Sequence, residues 1–456
     1  MSRFRFVHAA DVHLGSLLHV EGLESHPELQ ELCREATYLA FDNLCSMAVR
    51  EGASFILLSG DLYDRDARSV RANRFFADAC KKLNEAGIQV FVTAGNHDPL
   101  REHQEMFLLP DNTHLFPADR PEIYYVKNPE GGNIAAIAGQ SYGSRQENSP
   151  LHLNYPSPDS QVFRIAMLHT QLEKGRSNYI PASLAELAES SSFDYWALGH
   201  IHKPQILRWE NPVIAYSGSP QGRDFGEQQL GGCWLVEVDG RHIQSMEYRV
   251  TSPIVYQSLS IDIGCPQLQD ADSLDDLEDY MLSHARDLLR QDPDRIIQDD
   301  QLEEHPLTNI ADNAELKGCL IRWEIAGRGR LHHILQNDRQ GSEQVLCQIL
   351  RDMLGAQQPF IWTDLVQIRT ANPVNADVLK QYPVLGQLLE GVLHSIEEDD
   401  HLRESLVSEL GQAWTTAFHH EEQEEERLPL DEETLKKIIE DAKQLLLEGL
   451  AEGGEG

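Results

Sequence analysis

A short apolar run that ends at a glycine and an aspartate constrains the possible fold of this chain more than any other stretch. Residues 55–58 (Phe-Ile-Leu-Leu) contain no polar side chain, which is typical of a parallel strand buried on both faces. The run ends at Ser59 and Gly60, so Asp61 comes directly after the strand. Ligands of open α/β sheets bind in the crevice at the carboxyl ends of the strands. We therefore expect Asp61 in a binding crevice, although Gly-Asp alone also fits an ordinary turn.

Four further predicted strands, over residues 5–9, 89–95, 162–168 and 195–199, also end in polar side chains. Each exit alone also fits a turn or a surface histidine. Five such exits in one chain are not explained by coincidence, and an amphipathic helix over 29–51 connects the first two strands in a βαβ unit. The candidate ligands at these exits are Asp11, His13, Asp61, Asn96, His169, His200 and His202.

These side chains predict a two-metal site. Two ions about 3.5 to 4 Å apart, bridged by Asp61, would clamp a phosphate ester and activate water. Carboxylate, amide and imidazole ligands without a thiolate favour manganese, iron, zinc or magnesium. Beside them, His97 can protonate a leaving oxygen, and Asp98 can fix the tautomer of His97.

Charge sets limits on how the chain meets nucleic acid. The net charge of −36 argues against adhesion to DNA through bulk charge. Local exceptions are the arginines at positions 65, 68, 71 and 74, which are three residues apart and predict one helical row. Such a row fits phosphate contact or an ordinary solvated helix face.

The second half of the chain has a different pattern. Strands over 255–263, 318–326 and 360–370 alternate with helices over 273–290 and 342–354, which predicts a smaller α/β domain over residues 251–370. Residues 371–456 are acidic and helical in pattern. Within them, residues 431–450 form an amphipathic repeat that fits packing on its own domain or into a partner's groove.

The remaining sequence features concern location. No run reaches the roughly 20 apolar residues that a membrane span requires, so we expect no membrane partner. The first residues enter a strand pattern without the apolar core of a signal peptide. We therefore expect a cytoplasmic protein.

Taken in order, the motifs resemble a known family. ADVHLG (10–15), GDLYD (60–64), GNHDP (95–99), LH (168–169) and GHIHKP (199–204) resemble the calcineurin-like metallophosphoesterases, and within them the bacterial DNA double-strand-break repair nucleases of the SbcD and YhaO type. YSGSPQGR (216–223) and FGE (225–227) are also similar to that branch. The resemblance implies an α/β fold, with an αββα sandwich over 1–250, an α/β capping domain over 251–370 and a helical C-terminal region over 371–456.

The resemblance also implies roles for individual residues. Two manganese ions would be bound, the first by Asp11, His13, Asp61 and His202, and the second by Asp61, Asn96, His169 and His200. His97 would be the general acid, with Asp98 behind it. Asp64 stands where some members of the wider family carry a histidine, which leaves the balance of exonuclease and endonuclease activity open. The candidate DNA contacts are Arg65, Arg68 and Arg223.

The implied function is that of a metal-dependent DNA phosphodiesterase, a 3′-to-5′ exonuclease in double-strand-break repair that uses a metal-activated hydroxide. The implied partners are DNA, a second copy of the chain, and an SMC-like ABC ATPase of the SbcC/YhaN type that binds the C-terminal region. One alternative is a phosphomonoesterase or nucleotide phosphodiesterase of the same fold, which would need neither a second domain nor nearby arginines. A non-catalytic scaffold is the other alternative, but a scaffold is expected to lose metal ligands.

Overall fold

The computed structural model describes residues 3–64, 69–101, 106–159, 161–172, 179–290, 308–311, 316–372, 391, 392 and 395. The strands are β1 (Arg3–Ala9), β2 (Phe55–Ser59), β3 (Gln89–Thr93), β4 (Thr113–Leu115), β5 (Glu122–Lys127), β6 (Asn133–Gly139), β7 (Phe163–His169), β8 (Tyr195–Gly199), β9 (Gln205–Arg208), β10 (Val213–Tyr216), β11 (Gly232–Asp239), β12 (His242–Val250), β13 (Ile254–Asp262), β14 (Thr308–Ala311), β15 (Gly318–Arg328) and β16 (Phe360–Ala371). The helices are α1 (Pro27–Arg50), α2 (Val70–Glu85), α3 (Leu184–Glu189), α4 (Leu274–Arg290), α5 (Leu331–Asn337) and α6 (Arg339–Leu354).

Two large sheets carry the predicted strand exits. The first has the order β14-β12-β11-β1-β2-β3-β4, and β1 to β4 are parallel. The second has the order β5-β6-β7-β8-β10-β9, and β6, β7, β8 and β10 are parallel. Neighbouring parallel strands end at one edge of a sheet. The exits of β1, β2 and β3 therefore lie together in the first sheet, and those of β7 and β8 lie together in the second.

The two sheets pack face to face through aromatic side chains. Phe6 of β1 stacks on Phe55 of β2 with a ring-centroid distance of 5.1 Å, and it meets Tyr195 of β8 edge-on at 5.4 Å. His8 joins the sheets with hydrogen bonds. Its Nδ1 lies 2.9 Å from the hydroxyl of Tyr195, and its Nε2 lies 3.1 Å from the carbonyl of Leu198. Both ring nitrogens of this fully buried histidine are therefore satisfied across the sandwich.

Helices cover the outer faces. Residues of α1 and α2, including Phe41 and Phe76, pack with Val7 and Ile56 on the first sheet. Leu187 of α3 belongs to the cluster that covers the second sheet. This layering confirms the predicted αββα sandwich.

A buried ion cluster fixes the start of β8. Asp194 accepts hydrogen bonds from Arg164 at 2.8 Å and from Arg241 at 2.6 Å. Burial opposes ionisation of Asp194, but the hydrogen bonds from the two guanidinium groups outweigh it and lower the pKa of this carboxyl. The cluster holds the β8 strand at the end away from His200.

The elements predicted after residue 251 are present. β13, α4, β15, α6 and β16 match the predicted alternation within a few residues at each end, and α5 was not predicted. β13, β15 and β16 form a three-stranded sheet. The predicted helix over 431–450 lies outside the described residues.

The chain divides into two compact units. The first contains Met1–Ser260, Glu278–Glu324 and Glu343–Gln367, and the second contains Ile261–Leu277, Ile325–Ser342 and Ile368–Gly456. Within the first unit, Trp362 and Tyr256 pack with Cys33 and Ala36 of α1. The role of residues 251–370 as a cap stays a prediction.

Candidate metal centre

The loops that follow β1 and β2 run side by side and bring three candidate ligands together. The backbone N–H of Asp11 donates to the carbonyl of Gly60 at 3.0 Å, and that of His13 donates to the carbonyl of Asp61 at 3.1 Å. All three candidate ligands are buried. The parallel pairing of β1 with β2 thus places two carboxylates and an imidazole at one edge of the sheet.

Five non-glycine residues of the described chain have a positive φ, and four of these are candidate ligands. The angle is 52° at Asp11, 46° at His13, 51° at Asp61 and 101° at His200. Residues with a Cβ rarely take this conformation because it crowds the backbone. Such strain persists where the surrounding structure enforces it, and it clusters at functional sites.

Two glycines allow two candidate ligands to approach the backbone closely. A Cβ on Gly95 would overlap the Oδ1 atom of Asp61, and a Cβ on Gly60 would overlap the Nδ1 atom of His169. Any larger residue would displace these side chains. The glycines in GDLYD and GNHDP therefore have a packing reason at the site itself.

One group of donors comprises Asp11, His13 and His202. The Nε2 atoms of His13 and His202 lie 3.4 Å apart, and the Nε2 of His202 lies 3.8 Å from Asp11 Oδ1. Burial lowers the pKa of His13, so its imidazole is neutral and can bind a cation. This donor set fits a divalent metal ion.

A second group comprises Asp11, Asp61 and His169. The Nδ1 of His169 lies 2.9 Å from the carbonyl of Ser59, so Nδ1 carries the donated proton. Its Nε2 faces Asp61 Oδ2 at 3.3 Å and Asn96 Oδ1 at 2.9 Å. With the proton on Nδ1, the Nε2 atom and the two oxygens are all acceptors, and a positive charge between them would satisfy all three. A divalent cation fits this position.

Titration of His169 supports the same interpretation. Burial by itself would lower the pKa of His169, but the carboxylates of Asp61 and Asp11 raise it to about 9. A second proton on the ring then supplies the positive charge that the acceptors require. A metal ion would replace that proton on Nε2.

His200 is the seventh candidate ligand. Its backbone N–H donates to both oxygens of Asp11, at 3.0 and 3.1 Å, and its ring lies edge-on to His169 at 5.2 Å. Burial lowers its pKa to about 3, which leaves the imidazole neutral. The structure therefore brings all seven predicted ligands to one place, although their role as ligands remains a prediction.

Residues 4–204 match the calcineurin-like phosphoesterase family. This segment is a calcineurin-like phosphoesterase domain. It contains all seven candidate ligands, which lie in the loops that follow β1, β2, β3 and β8 or at the end of β7.

The chain is also similar to curated relatives over about half of its length. The chain is 36% identical over 261 residues to the uncharacterized metallophosphoesterase YhaO of Bacillus subtilis, and this match covers 57% of the chain. The chain is 30% identical over 249 residues to the DNA double-strand break repair protein Mre11 of Methanocaldococcus jannaschii, and this match covers 52% of the chain. It is 27% identical over 256 residues to a subunit of the nuclease SbcCD of Bacillus subtilis, and this match covers 49% of the chain. Each match spans 63% of the relative's own length.

His97 lies at the rim of the cluster of candidate ligands. Its side chain is 37% exposed, and its Nδ1 lies 3.0 Å from Asp64 Oδ1. The hydrogen bond to Asp64 raises the pKa of His97, and the same bond lowers the pKa of Asp64 to about 2. His97 can therefore carry a proton at a position open to a substrate.

The predicted orientation of His97 by Asp98 is wrong, because Asp64 faces the Nδ1 atom instead. Asp98 instead accepts hydrogen bonds from the backbone N–H groups of Gly95 at 2.8 Å, Leu62 at 2.9 Å and Tyr63 at 3.2 Å. It therefore ties the turn after β3 to the loop after β2. Its contribution is to the shape of the site.

Sequence reasoning missed Glu227. Its Oε1 lies 2.7 Å from the Nδ1 of His202, which orients the Nε2 of that ring toward Asp11. Burial opposes ionisation of Glu227, but the charge and hydrogen bond of His202 outweigh it and lower its pKa to about 2. Nothing in the spacing of FGE (225–227) indicates this pairing, since Glu227 follows His202 by 25 residues.

The arginines predicted to contact DNA have different outcomes. Arg65 and Arg68 lie outside the described residues, and α2 begins after them at Val70. Arg71 pairs with Glu35, and Arg74 pairs with Asp78 at 2.8 Å. Arg223 lies in the site, between Asp64 and Glu227.

Among the described residues, no helix combines the length and apolar character that are needed to cross a membrane.

Proposed function

We propose that this chain is a divalent-metal-dependent phosphodiesterase that degrades DNA from its 3′ ends in double-strand-break repair. The observation that carries the proposal is the convergence of seven candidate nitrogen and oxygen ligands beside a partly exposed histidine that is paired with a carboxylate. Two bound cations, most suitably Mn²⁺, would neutralise a phosphodiester and lower the pKa of water.

His97 would act on the leaving group. With Nδ1 held by Asp64, the Nε2–H of the protonated ring is the proton that this partly exposed side chain would donate. This proton would pass to the 3′ oxygen as the phosphorus–oxygen bond breaks. Asp64 would stabilise the protonated ring before transfer and hold its direction, as the carboxylates of other histidine pairs do.

The DNA substrate is supported by similarity to relatives named as a DNA double-strand break repair protein and a nuclease subunit. Because the matches span 63% of those relatives, the activity of the whole chain is part of the proposal. The proposal includes a nuclease domain over 1–250, a cap over 251–370 and a C-terminal region over 371–456 that binds an SMC-like ABC ATPase. It also includes a homodimer and a cytoplasmic location.

The test uses linear double-stranded DNA labelled at either the 3′ or the 5′ end. Wild type with Mn²⁺ is expected to release the 3′ label first. The His97→Ala protein is expected to lose about 10²- to 10⁴-fold in rate, the usual contribution of a general acid. His242→Ala is the matched control, because His242 is an exposed histidine at the start of β12. para-Nitrophenyl phosphate is included as a monoester substrate.

Each result has a distinct meaning. Release of the 5′ label first would refute the polarity, and cleavage inside the DNA would refute the exonuclease assignment. Hydrolysis of the monoester alone would make the protein a phosphomonoesterase. Equal rates for His97→Ala and wild type on DNA would remove His97 from the mechanism.

A further inference from the structure

Arg223 occupies a position that the predicted DNA contact does not explain. It lies in the loop between β10 and β11, and its side chain is 19% exposed. Its Nη1 lies 3.6 Å from Asp64 Oδ2, and its Nη2 lies 3.4 Å from Glu227 Oε1. The guanidinium therefore meets two carboxylates of the protein, whereas an arginine reserved for DNA would face solvent.

Each of these carboxylates already orients a histidine. Asp64 Oδ1 lies 3.0 Å from the Nδ1 of His97, and Glu227 Oε1 lies 2.7 Å from the Nδ1 of His202. One histidine is the proposed acid and the other is a candidate metal ligand. Arg223 thus contacts the carboxylate partners of both histidines with one guanidinium group.

The backbone of Arg223 is fixed from two sides. Its N–H donates to Glu227 Oε2 at 3.1 Å, and its carbonyl accepts the hydroxyl of Tyr256 at 2.8 Å. Nearby in the same loop, Phe225 packs against Tyr256, and its ring centroid lies 4.0 Å from the Cζ of Arg322. These contacts with Tyr256 and Arg322 fix the loop, so the guanidinium is held between the two carboxylates.

We propose that Arg223 is a positioning residue that couples the Asp64–His97 pair to the Glu227–His202 pair. This inference rests on the proposed phosphodiesterase function. The planar guanidinium provides donors in a fixed fork, so it can hold two carboxylates at a set separation. Without the guanidinium, Asp64 keeps the hydroxyl of Ser16 and Glu227 keeps the backbone N–H of residue 223, but nothing holds the two carboxylates relative to each other, so the proton donor and a metal ligand are no longer aligned together.

Two measurements separate this role from phosphate binding. The first is the binding isotherm of Mn²⁺ by calorimetry, which requires no turnover. The second is kcat for a series of aryl phosphodiesters whose leaving phenols have rising pKa values. Loss of help from a proton donor slows the poor leaving groups most, because good leaving groups depart without a proton.

Arg223→Gln is expected to weaken Mn²⁺ binding about 10-fold, at the low end for a group that orients a ligand. It is also expected to make kcat fall more steeply with the pKa of the leaving group. Arg223→Lys, which keeps the charge without the fork, is expected to recover only part of both effects. Arg120→Gln is the matched control, because Arg120 is exposed and pairs with Glu122, two residues further along the chain.

An unchanged isotherm together with an unchanged leaving-group dependence would overturn the proposal. A rise in KM of equal size for every ester, with kcat and Mn²⁺ binding unaltered, would also overturn it and would make Arg223 a phosphate contact. If wild type hydrolyses aryl esters but not DNA, the DNA function fails while this test still applies. If wild type hydrolyses no ester, the Mn²⁺ isotherm alone decides, and equal binding by Arg223→Gln refutes the coupling.

Discussion

Replacement of His8 is expected to change how stability depends on pH. The imidazole is fully buried between the two sheets, with Nδ1 at 2.9 Å from Tyr195 and Nε2 at 3.1 Å from the carbonyl of Leu198. Burial lowers its pKa to about 3, against an ordinary value of 6.5. The folded protein therefore keeps His8 neutral at pH values where the unfolded chain protonates it.

The size of the effect follows from this difference. The folded pKa is depressed and histidine carries its charge when protonated, so acidification below pH 6.5 favours the unfolded chain. One proton taken up on unfolding changes the free energy of unfolding by at most about 1.36 kcal/mol per pH unit. Between pH 7 and pH 5, the linkage relation with pKa values of 6.5 and about 3 gives a loss of about 1.9 kcal/mol from His8.

Urea unfolding at pH 7 and pH 5, followed by tryptophan fluorescence in the presence of a chelator, measures this loss. The matched variants are His8→Gln, whose amide does not titrate, and Tyr195→Phe, which keeps the imidazole. Wild type and Tyr195→Phe are expected to lose about 1.9 kcal/mol more than His8→Gln over this range. An equal pH dependence in His8→Gln and wild type would show that His8 takes up a proton in the folded state, and the reasoning would be refuted.

Three further outcomes are expected. Asp194→Asn removes the charge that pairs with the largely buried Arg164, so it should lower the free energy of unfolding by about 3 kcal/mol without altering Mn²⁺ binding. An unchanged midpoint of urea unfolding would contradict this expectation. Glu227→Ala removes the acceptor that orients the ring of His202 and should weaken Mn²⁺ binding by about 10- to 100-fold in calorimetry, so an unaltered isotherm would count against the orienting role of Glu227. Mn²⁺ at about 100 times its dissociation constant should stabilise wild type by about 2.7 kcal/mol, and an equal gain in Asp61→Asn would exclude Asp61 as a ligand.

The location of the site was predictable because parallel strands end at one edge, whatever the details of their loops. An apolar run followed by a glycine and a polar residue identifies such an end for Asp61, and an apolar run that ends in a histidine does so for His169. The direction of adjacent side chains in a turn carries no such signal. For this reason Asp98 was predicted behind His97, whereas the positive φ at Asp61 and the turn that follows bring Asp64 there.

Contacts between distant segments were also beyond the sequence pattern. His8 lies in a strand pattern that gives no sign of a partner 187 residues away, and the Glu227–His202 pair is set by the course of a loop. The row of arginines was open between phosphate contact and a solvated helix face. Arg71 and Arg74 pair with acidic side chains on α1 and α2, as on an ordinary helix face, and Arg65 and Arg68 lie outside the described residues.

The left-handed backbone at Asp11, His13, Asp61 and His200 has an evolutionary consequence. A non-glycine residue in this conformation costs on the order of 1 kcal/mol, and the metal-binding role would be the reason to keep it. In a duplicated copy that no longer needs the metal, glycine at any of these positions would relieve strain. Such a copy would lose backbone strain as it lost the metal site, although the hydrogen bonds that Asp11 and Asp61 accept from the backbone N–H groups of His200 and His97 would be lost as well.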